Sequence, residues 1–155
     1  MLFRSARVKK TPPKLQLGNI RPVADEKTLE ALIANRYEVM AGYAKDLRRV
    51  CKAEIATLKA RHGDVAVLEA ARRWLHRDAD KVPEAAIIKL AQARAAHPEL
   101  DKMVTMREEL RQLWLNTSHS REQLASDLQG WCRRAEDSGI AALREFSLKL
   151  RAAHA

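Results

Sequence analysis

Apolar residues recur every three or four positions along most of the chain, and no useful length alternates with a period of two. The first such stripe runs from Leu29 to Leu58, and Asp25 precedes it as a candidate helix cap. Because this spacing places apolar side chains on one face of a helix, it predicts a single long helix from about residue 25 to residue 59.

Capping and turn residues divide the rest of the chain into further helices. His62-Gly63-Asp64 ends the first helix and begins the next, and Pro83 suits a first helical turn. Ser120 opens a later helix as a capping box with the glutamine three residues on. Five more helices are predicted, at about 65–75, 83–96, 99–115, 120–137 and 140–152. The sequence therefore predicts an all-α fold, a bundle of about six helices over residues 25–155.

The apolar stripes also predict which large side chains form the core. In the third predicted helix, Ile87, Leu90 and Ala91 are expected to point inward. The tryptophans at positions 74, 114 and 131 all fall on apolar stripes, so we expect them to pack inside. Stacking on single-stranded nucleic acid is the alternative use of these rings.

Residues 1–24 differ from the rest in both pattern and charge. Prolines make this segment irregular, and it holds six basic residues and no acid, which gives +6 of a net charge of +9. We interpret it as a basic leader that contacts nucleic acid or an anionic membrane surface; the alternative is a solvated segment without a partner. The residues predicted to make this contact are Arg7, Lys9, Lys10, Lys14 and Arg21. The remaining residues are close to balanced, so we expect the leader, and not the bundle, to govern contact with anionic partners.

The length of 155 residues suffices for one domain with a core of its own. Cys51 and Cys132 lie far apart and are expected to be free, buried thiols in a reducing compartment. No apolar stretch is long enough to span a membrane, and Lys9 and Lys10 fall where a signal peptide would be apolar. The expected location is the cytoplasm, or the cytoplasmic face of a membrane as part of a longer protein.

The sequence offers no complete set of catalytic residues. None of the five histidines has another at a helical spacing of three or four, and no phosphate-binding loop or nucleophile motif occurs. His76, Asp78 and Asp80 are close in sequence, but we favour a polar connection over a metal site. Adjacent acids such as Glu136 and Asp137 are expected on solvated faces. No catalytic residue, metal ligand or cofactor is therefore predicted, and the chain is not expected to be an enzyme by itself.

Several motifs lie between about Tyr37 and Leu150. They are RWL at 73–75, PEL at 98–100, MREELRQLW at 106–114, QGWCRRA at 129–135, and SGI at 138–140 followed by LREF at 143–146. Together they resemble the helical segment of DDE transposases of the ISL3 type. In that family the segment interrupts an RNase H-like core, and the resemblance implies contact with DNA or a second protomer. The strands and acids of that core have no counterpart here, so no catalytic residue is carried over.

A second set of motifs covers almost the whole chain. It consists of ARVKKTPPKL at 6–15, RYEVM at 36–40 and WLNTSHS at 114–120. These resemble the C-terminal cytosolic extension of bacterial acyl-CoA (delta-nine type) fatty-acid desaturases. That resemblance implies a role in lipid metabolism beside a membrane domain, whose iron-binding histidine boxes are absent here. Residues 2–5 match a translated sequencing adapter, so the natural sequence is expected to begin near Ala6 and to extend upstream.

The first functional interpretation is therefore a detached desaturase extension. It would act as a cytosolic docking or assembly module for a protein partner or for the missing upstream membrane domain. The alternative is a remnant of an ISL3-type transposase that contacts DNA or a second protomer.

Overall fold

The computed structural model describes residues 26–116 and 118–153, and every regular element in this part of the chain is helical. Within these residues a 3-10 turn, Ala79–Lys81, precedes the fourth of seven α-helices. The helices are α1 (Glu26–Ala34), α2 (Arg36–Ala60), α3 (Ala66–Ala71), α4 (Glu84–Ala96), α5 (Pro98–Leu115), α6 (Arg121–Glu136) and α7 (Ala141–Arg151). The all-α prediction is confirmed, with one helix more than expected.

The additional helix arises from a break at Asn35 within the predicted first helix. Asn35 has φ −110° and ψ 24°, and its side-chain amide donates to the carbonyl of Ala31 at 3.0 Å. The backbone ladder continues across the break, since Asn35 N donates to Ala31 and Val39 N donates to Asn35. An asparagine side chain that binds a nearby carbonyl competes with the regular helix geometry, which accounts for the break.

The end of α2 is a Schellman motif, although its left-handed residue is a histidine. His62 has φ 60°, its N–H donates to Lys59 O, and Gly63 N donates to Leu58 O at 2.7 Å. A Cβ on Gly63 would lie 3.3 Å from both Leu58 Cδ2 and Leu58 O, a tight contact that Leu58 would have to relieve by a small shift. Asp64 Oδ1 then accepts from Ala66 N at 2.9 Å and opens α3. The predicted stop and restart are confirmed, but the positive φ is at His62.

Helix α5 lies at the centre of the bundle, where it contacts α2, α4 and α6. Three aromatic rings, Tyr43 of α2, Trp131 of α6 and Phe146 of α7, meet beside it in edge-to-face contacts. The ring centroids are 6.2 Å apart for Tyr43 and Trp131, 5.0 Å for Tyr43 and Phe146, and 5.9 Å for Trp131 and Phe146. The Tyr43 hydroxyl donates to Met103 O at 2.6 Å, and Trp131 Nε1 donates to Met106 O at 2.9 Å. These two hydrogen bonds fix α2 and α6 against the same face of α5.

A largely buried ion pair joins the last two helices. Arg151, 5% exposed, donates from Nε to Glu136 Oε2 at 2.6 Å, and Ser147 Oγ donates to the same oxygen at 2.6 Å. The expectation that Glu136 lies on a solvated face is therefore wrong. Its side chain is half-buried, with 14% exposed, because α7 folds back and supplies a charged partner and a hydroxyl, which offset the partial desolvation.

The predicted inward face of α4 is also wrong. Ile87 is 52% exposed and Ala91 is exposed, Leu90 is half-buried, and the only fully buried position of this helix is Ala93. Alanine and isoleucine occur on all sides of α4, so periodicity alone does not define its packed face.

The three tryptophans differ in burial. Trp131 is 0% exposed, whereas Trp74 and Trp114 are half-buried at the edge of the core. The prediction of a common interior therefore holds fully only for Trp131.

Replacing His62 by glycine should stabilise the protein by about 0.5–1 kcal/mol. Glycine adopts positive φ without the steric penalty of a Cβ, and this gain exceeds the added freedom of the unfolded chain. The His62 side chain is exposed, so little packing is lost. Urea denaturation measures the change, and Gly63→Ala is the opposite control, expected to destabilise because its Cβ crowds Leu58. A lower midpoint for His62→Gly would contradict the motif.

Truncating Trp131 to alanine should lower the free energy of unfolding by about 3–5 kcal/mol, as expected for a fully buried large aromatic. Trp114→Ala should cost only about 1–2 kcal/mol because its ring is half-buried. Chemical denaturation of both variants under the same conditions provides the measurement. Equal losses for the two would mean that Trp131 does not hold the central position assigned to it.

Candidate functional site

A cleft of about 740 Å³ opens between α2 and the segment formed by α3 and the turns that follow it. Seven of its nine lining residues are cationic: Lys45, Arg48, Arg49, Lys52, Arg72, Arg73 and Arg77. The other two are Cys51 and His76. We call this surface the basic cleft.

One wall of the basic cleft is a stripe on α2. Lys45, Arg48, Arg49 and Lys52 follow the spacing i, i+3, i+4 and i+7, which places them on neighbouring turns of one side of the helix. The core face of α2 carries the buried residues Tyr43, Leu47, Cys51 and Ile55. The helix therefore packs through one face and presents the cationic stripe beside it.

The other wall comes from the end of α3 and the turns after it. Ala71 and Leu75 are 0% and 1% exposed, so they anchor this segment in the core and leave Arg72, Arg73 and Arg77 exposed. The next residue along the chain, Asp78, fixes the segment to α5. Its Oδ1 accepts from Arg107 Nη2 at 2.9 Å and from Arg111 Nε at 3.1 Å.

Few carboxylates offset the charge of the basic cleft. Asp46 lies 3.4 Å from Arg49, and Glu69 lies 3.1 Å from Arg72. The ion pairs found among residues 26–116 and 118–153 include none made by Lys45, Arg48, Lys52 or Arg77. Of the seven cations only Arg49 and Arg72 thus make an ion pair within the described residues, which leaves a local excess of positive charge.

His76 responds to this positive potential. Burial lowers the pKa of its imidazole to about 4, and repulsion by Arg48, Arg77 and Arg107 acts in the same direction. Its Nδ1 is buried and has no hydrogen-bond partner within the described part of the chain. At neutral pH the ring is therefore uncharged, and the cations around it form the charge of the cleft.

The thiols offer no reactive group at this site. Cys51 and Cys132 are free and buried, as predicted, and burial raises the pKa of each thiol to about 11. Both remain protonated at neutral pH, so neither supplies a thiolate nucleophile.

A metal site is also not formed at His76 and Asp78. Arg107 and Arg111 occupy the Asp78 carboxylate. No group of three or more histidine, cysteine or acidic side chains in the described ranges is placed to hold a metal ion.

The basic cleft gives the bundle a cationic surface that the near balance of its charges does not indicate. The predicted contact residues Arg7, Lys9, Lys10, Lys14 and Arg21 lie outside the described residues. Over residues 25–155, 23 basic and 20 acidic side chains nearly cancel, and this average hides the local excess. The spacing of the four cations of α2 is the signal in the sequence that could have revealed one wall. Its second wall has no comparable signal, because it depends on how α3 packs.

A family model described as a transposase, DDE_Tnp_ISL3, matches residues 24–155. Neither curated proteins nor solved structures give a match. The matched range contains all seven helices and both walls of the basic cleft.

The functional interpretation as an extension of a fatty-acid desaturase is wrong. The family match covers the entire bundle and supports the alternative interpretation instead, and no comparison supports a desaturase. The partner predicted from it, an upstream membrane domain, loses its support as well. No helix of the described residues has the length and apolar character needed to cross a membrane.

Acid should destabilise the protein in part through His76. The pKa of His76 is about 4 in the folded protein and about 6.5 in the unfolded chain. Between these two pH values the unfolded chain therefore binds a proton at His76 that the folded protein does not bind. Stability should therefore fall as the pH is lowered from 6.5 towards 4, and His76→Gln should show a smaller fall. Urea midpoints at pH 7, 6 and 5 for both proteins test this. The same pH dependence in both would exclude His76 as the source.

Proposed function

Because the chain belongs to the ISL3 family of transposases, we propose that its helical bundle binds DNA through the basic cleft between α2 and α3. The observation that carries this proposal is the convergence of seven cations on one concave surface. A duplex exposes a dense row of phosphate charges, and Lys and Arg side chains neutralise them with release of counterions. The cleft offers the complementary charge.

The composition of the cleft favours the DNA backbone over the bases as its ligand. Among the described residues its lining has no aromatic ring other than the imidazole of His76, and no carboxylate or amide side chain to read a cytosine or an adenine. Lysines and arginines that contact phosphates position a protein on DNA but carry no sequence information. Binding through the cleft should therefore depend little on sequence and strongly on salt.

Arginine and lysine have different roles in this cleft. Arg48, Arg72, Arg73 and Arg77 can each present a planar fork to two phosphate oxygens, whereas Lys45 and Lys52 act as flexible point charges. Arg73 also lies 5.0 Å over the ring of Trp74, which limits its freedom before a ligand arrives. This wall of the cleft is thus partly preorganised for phosphate.

We assign no catalytic, metal or cofactor role to the described residues. The role proposed is to hold DNA, and the basic leader adds to it. Arg7, Lys9, Lys10, Lys14 and Arg21 would add contacts that depend on charge alone. We place this activity in the cytoplasm, a reducing compartment with which two free cysteines agree.

The main prediction concerns four of the five cleft cations that make no ion pair among the described residues, Lys45, Arg48, Lys52 and Arg77; the fifth, Arg73, lies over the Trp74 ring. Replacing all four by glutamine in the full chain should weaken binding to a duplex of arbitrary sequence. The slope of log K against log salt should become shallower by about 3–4, since each phosphate contact contributes about 0.9. Fluorescence anisotropy over a series of salt concentrations gives both quantities.

A matched variant separates the cleft from net charge. Lys89, Lys102, Arg144 and Lys149 are exposed cations of α4, α5 and α7, and their replacement by glutamine removes the same charge elsewhere. This control should retain most of the affinity and slope. Equal losses in the two variants would overturn the proposal, as would binding that survives the cleft substitutions and is lost only when the five leader residues are replaced.

A further inference from the structure

Tyr37 is the most exposed large hydrophobic residue among those described, with 77% of its surface accessible. It lies in the first turn of α2, the helix that forms one wall of the basic cleft. The aromatic rings of the core are buried, and Trp131 is 0% exposed. Tyr37 is thus the ring most available for contact with a partner molecule.

Helical geometry aligns Tyr37 with the cleft. Arg48 follows it by eleven residues, so the two lie within about 20° of each other around the helix and about 16 Å apart along it. Ala41 and Ala44, four and seven residues after Tyr37, occupy the face between them. Both side chains are small and uncharged; Ala41 is exposed and Ala44 is half-buried. An extended DNA strand could therefore pass along this side of α2 from the cleft to the Tyr37 ring.

Arg36 fixes one side of the tyrosine. Its guanidinium lies 4.9 Å over the Tyr37 ring, and its Nη1 donates to Ile33 O at 2.8 Å. Despite this contact the ring keeps its high exposure, so a second face remains open for stacking. Arg36 also adds a cation at the start of α2, next to the position that a base stacked on Tyr37 would occupy.

We infer that Tyr37 stacks on an unpaired base of the DNA whose phosphates lie in the basic cleft. The inference rests on the proposed function and narrows its ligand to a duplex with a single-stranded extension. An exposed aromatic ring on a cationic surface is the usual platform for an unpaired base, since every base offers a π-face. The separation of about 16 Å between Tyr37 and Arg48 along α2 corresponds to about five nucleotides of a duplex strand. The junction between the duplex and its single-stranded extension would therefore lie close to the cleft.

Stacking on single-stranded nucleic acid, which the sequence offered as an alternative role for the tryptophans, is thus assigned to a tyrosine. Trp131 is enclosed by the core, while Trp74 and Trp114 are half-buried. Tyr37 satisfies both requirements of a platform, an accessible ring and neighbouring cations on the same side of one helix.

The test compares three DNA probes with the full-length chain. One is a blunt duplex, the second carries a short unpaired extension on one strand, and the third carries the same extension with abasic sites, which keeps the phosphates and removes the bases. The wild type should bind the base-bearing extension about tenfold more tightly than the blunt duplex, the order of magnitude for one stacked base. The abasic extension should lose most of this preference.

Substitutions of Tyr37 test whether its ring causes the preference for the base-bearing extension. Tyr37→Ala should bind all three probes equally and as tightly as the wild type binds the blunt duplex, whereas Tyr37→Phe should retain the preference. Leu115→Ala, which removes another exposed apolar side chain, is the matched control and should behave as the wild type. Thermal unfolding checks that each variant is folded.

The outcomes separate this inference from the proposed function. If the blunt duplex binds with the salt dependence expected of the cleft, but Tyr37→Ala keeps the preference for the extension, the inference fails and the cleft stands. The inference also fails if the wild type does not distinguish base-bearing from abasic extensions. If the wild type binds none of the probes, both proposals fail.

Discussion

The fold depends on two hydrogen bonds that aromatic side chains make to the backbone of α5. Tyr43 donates to Met103 O and Trp131 donates to Met106 O, one helical turn apart. Each carbonyl has a second lone pair, so it can accept a side chain in addition to its helical partner. Burial raises the pKa of the Tyr43 phenol well above its usual range, so it remains a neutral donor. The two bonds satisfy polar groups that would otherwise be costly in the core, and they fix the positions of α2 and α6.

The basic cleft is a consequence of this arrangement. Since Tyr43, Leu47 and Cys51 face the core, the cations at positions 45, 48, 49 and 52 must lie beside that face, towards α3. The contact of Asp78 with Arg107 holds the opposite wall in place. The core thus orients one helix, and a single carboxylate positions the segment that completes the cleft.

Concentrating seven cations on one surface is unfavourable for the isolated protein. Like charges repel, and burial together with repulsion by neighbouring arginines lowers the pKa of His76. A polyanion in the cleft would relieve the repulsion, and a ligand that binds only the folded state stabilises it. The feature that is unfavourable for the free bundle is therefore the one through which we propose that it binds DNA. The largely buried Glu136–Arg151 pair is the opposite case, since its charges neutralise each other and join α6 to α7 without any ligand.

The sequence alone determined the helical class, because spacing by threes and fours and the residues that cap helices are local properties. It indicated the stop at His62-Gly63-Asp64, the turn at Ser138-Gly139 and the burial of both cysteines. It also contained the motifs of the family, but it did not decide between the two resemblances. Tertiary structure decided which side of α4 packs, since its alanines and isoleucines define no single face. It also decided that Glu136 is half-buried and paired, because its partner Arg151 comes from another helix. The basic cleft needed both levels: spacing places four cations on one side of α2, but only packing brings three arginines from the region of α3 to face them.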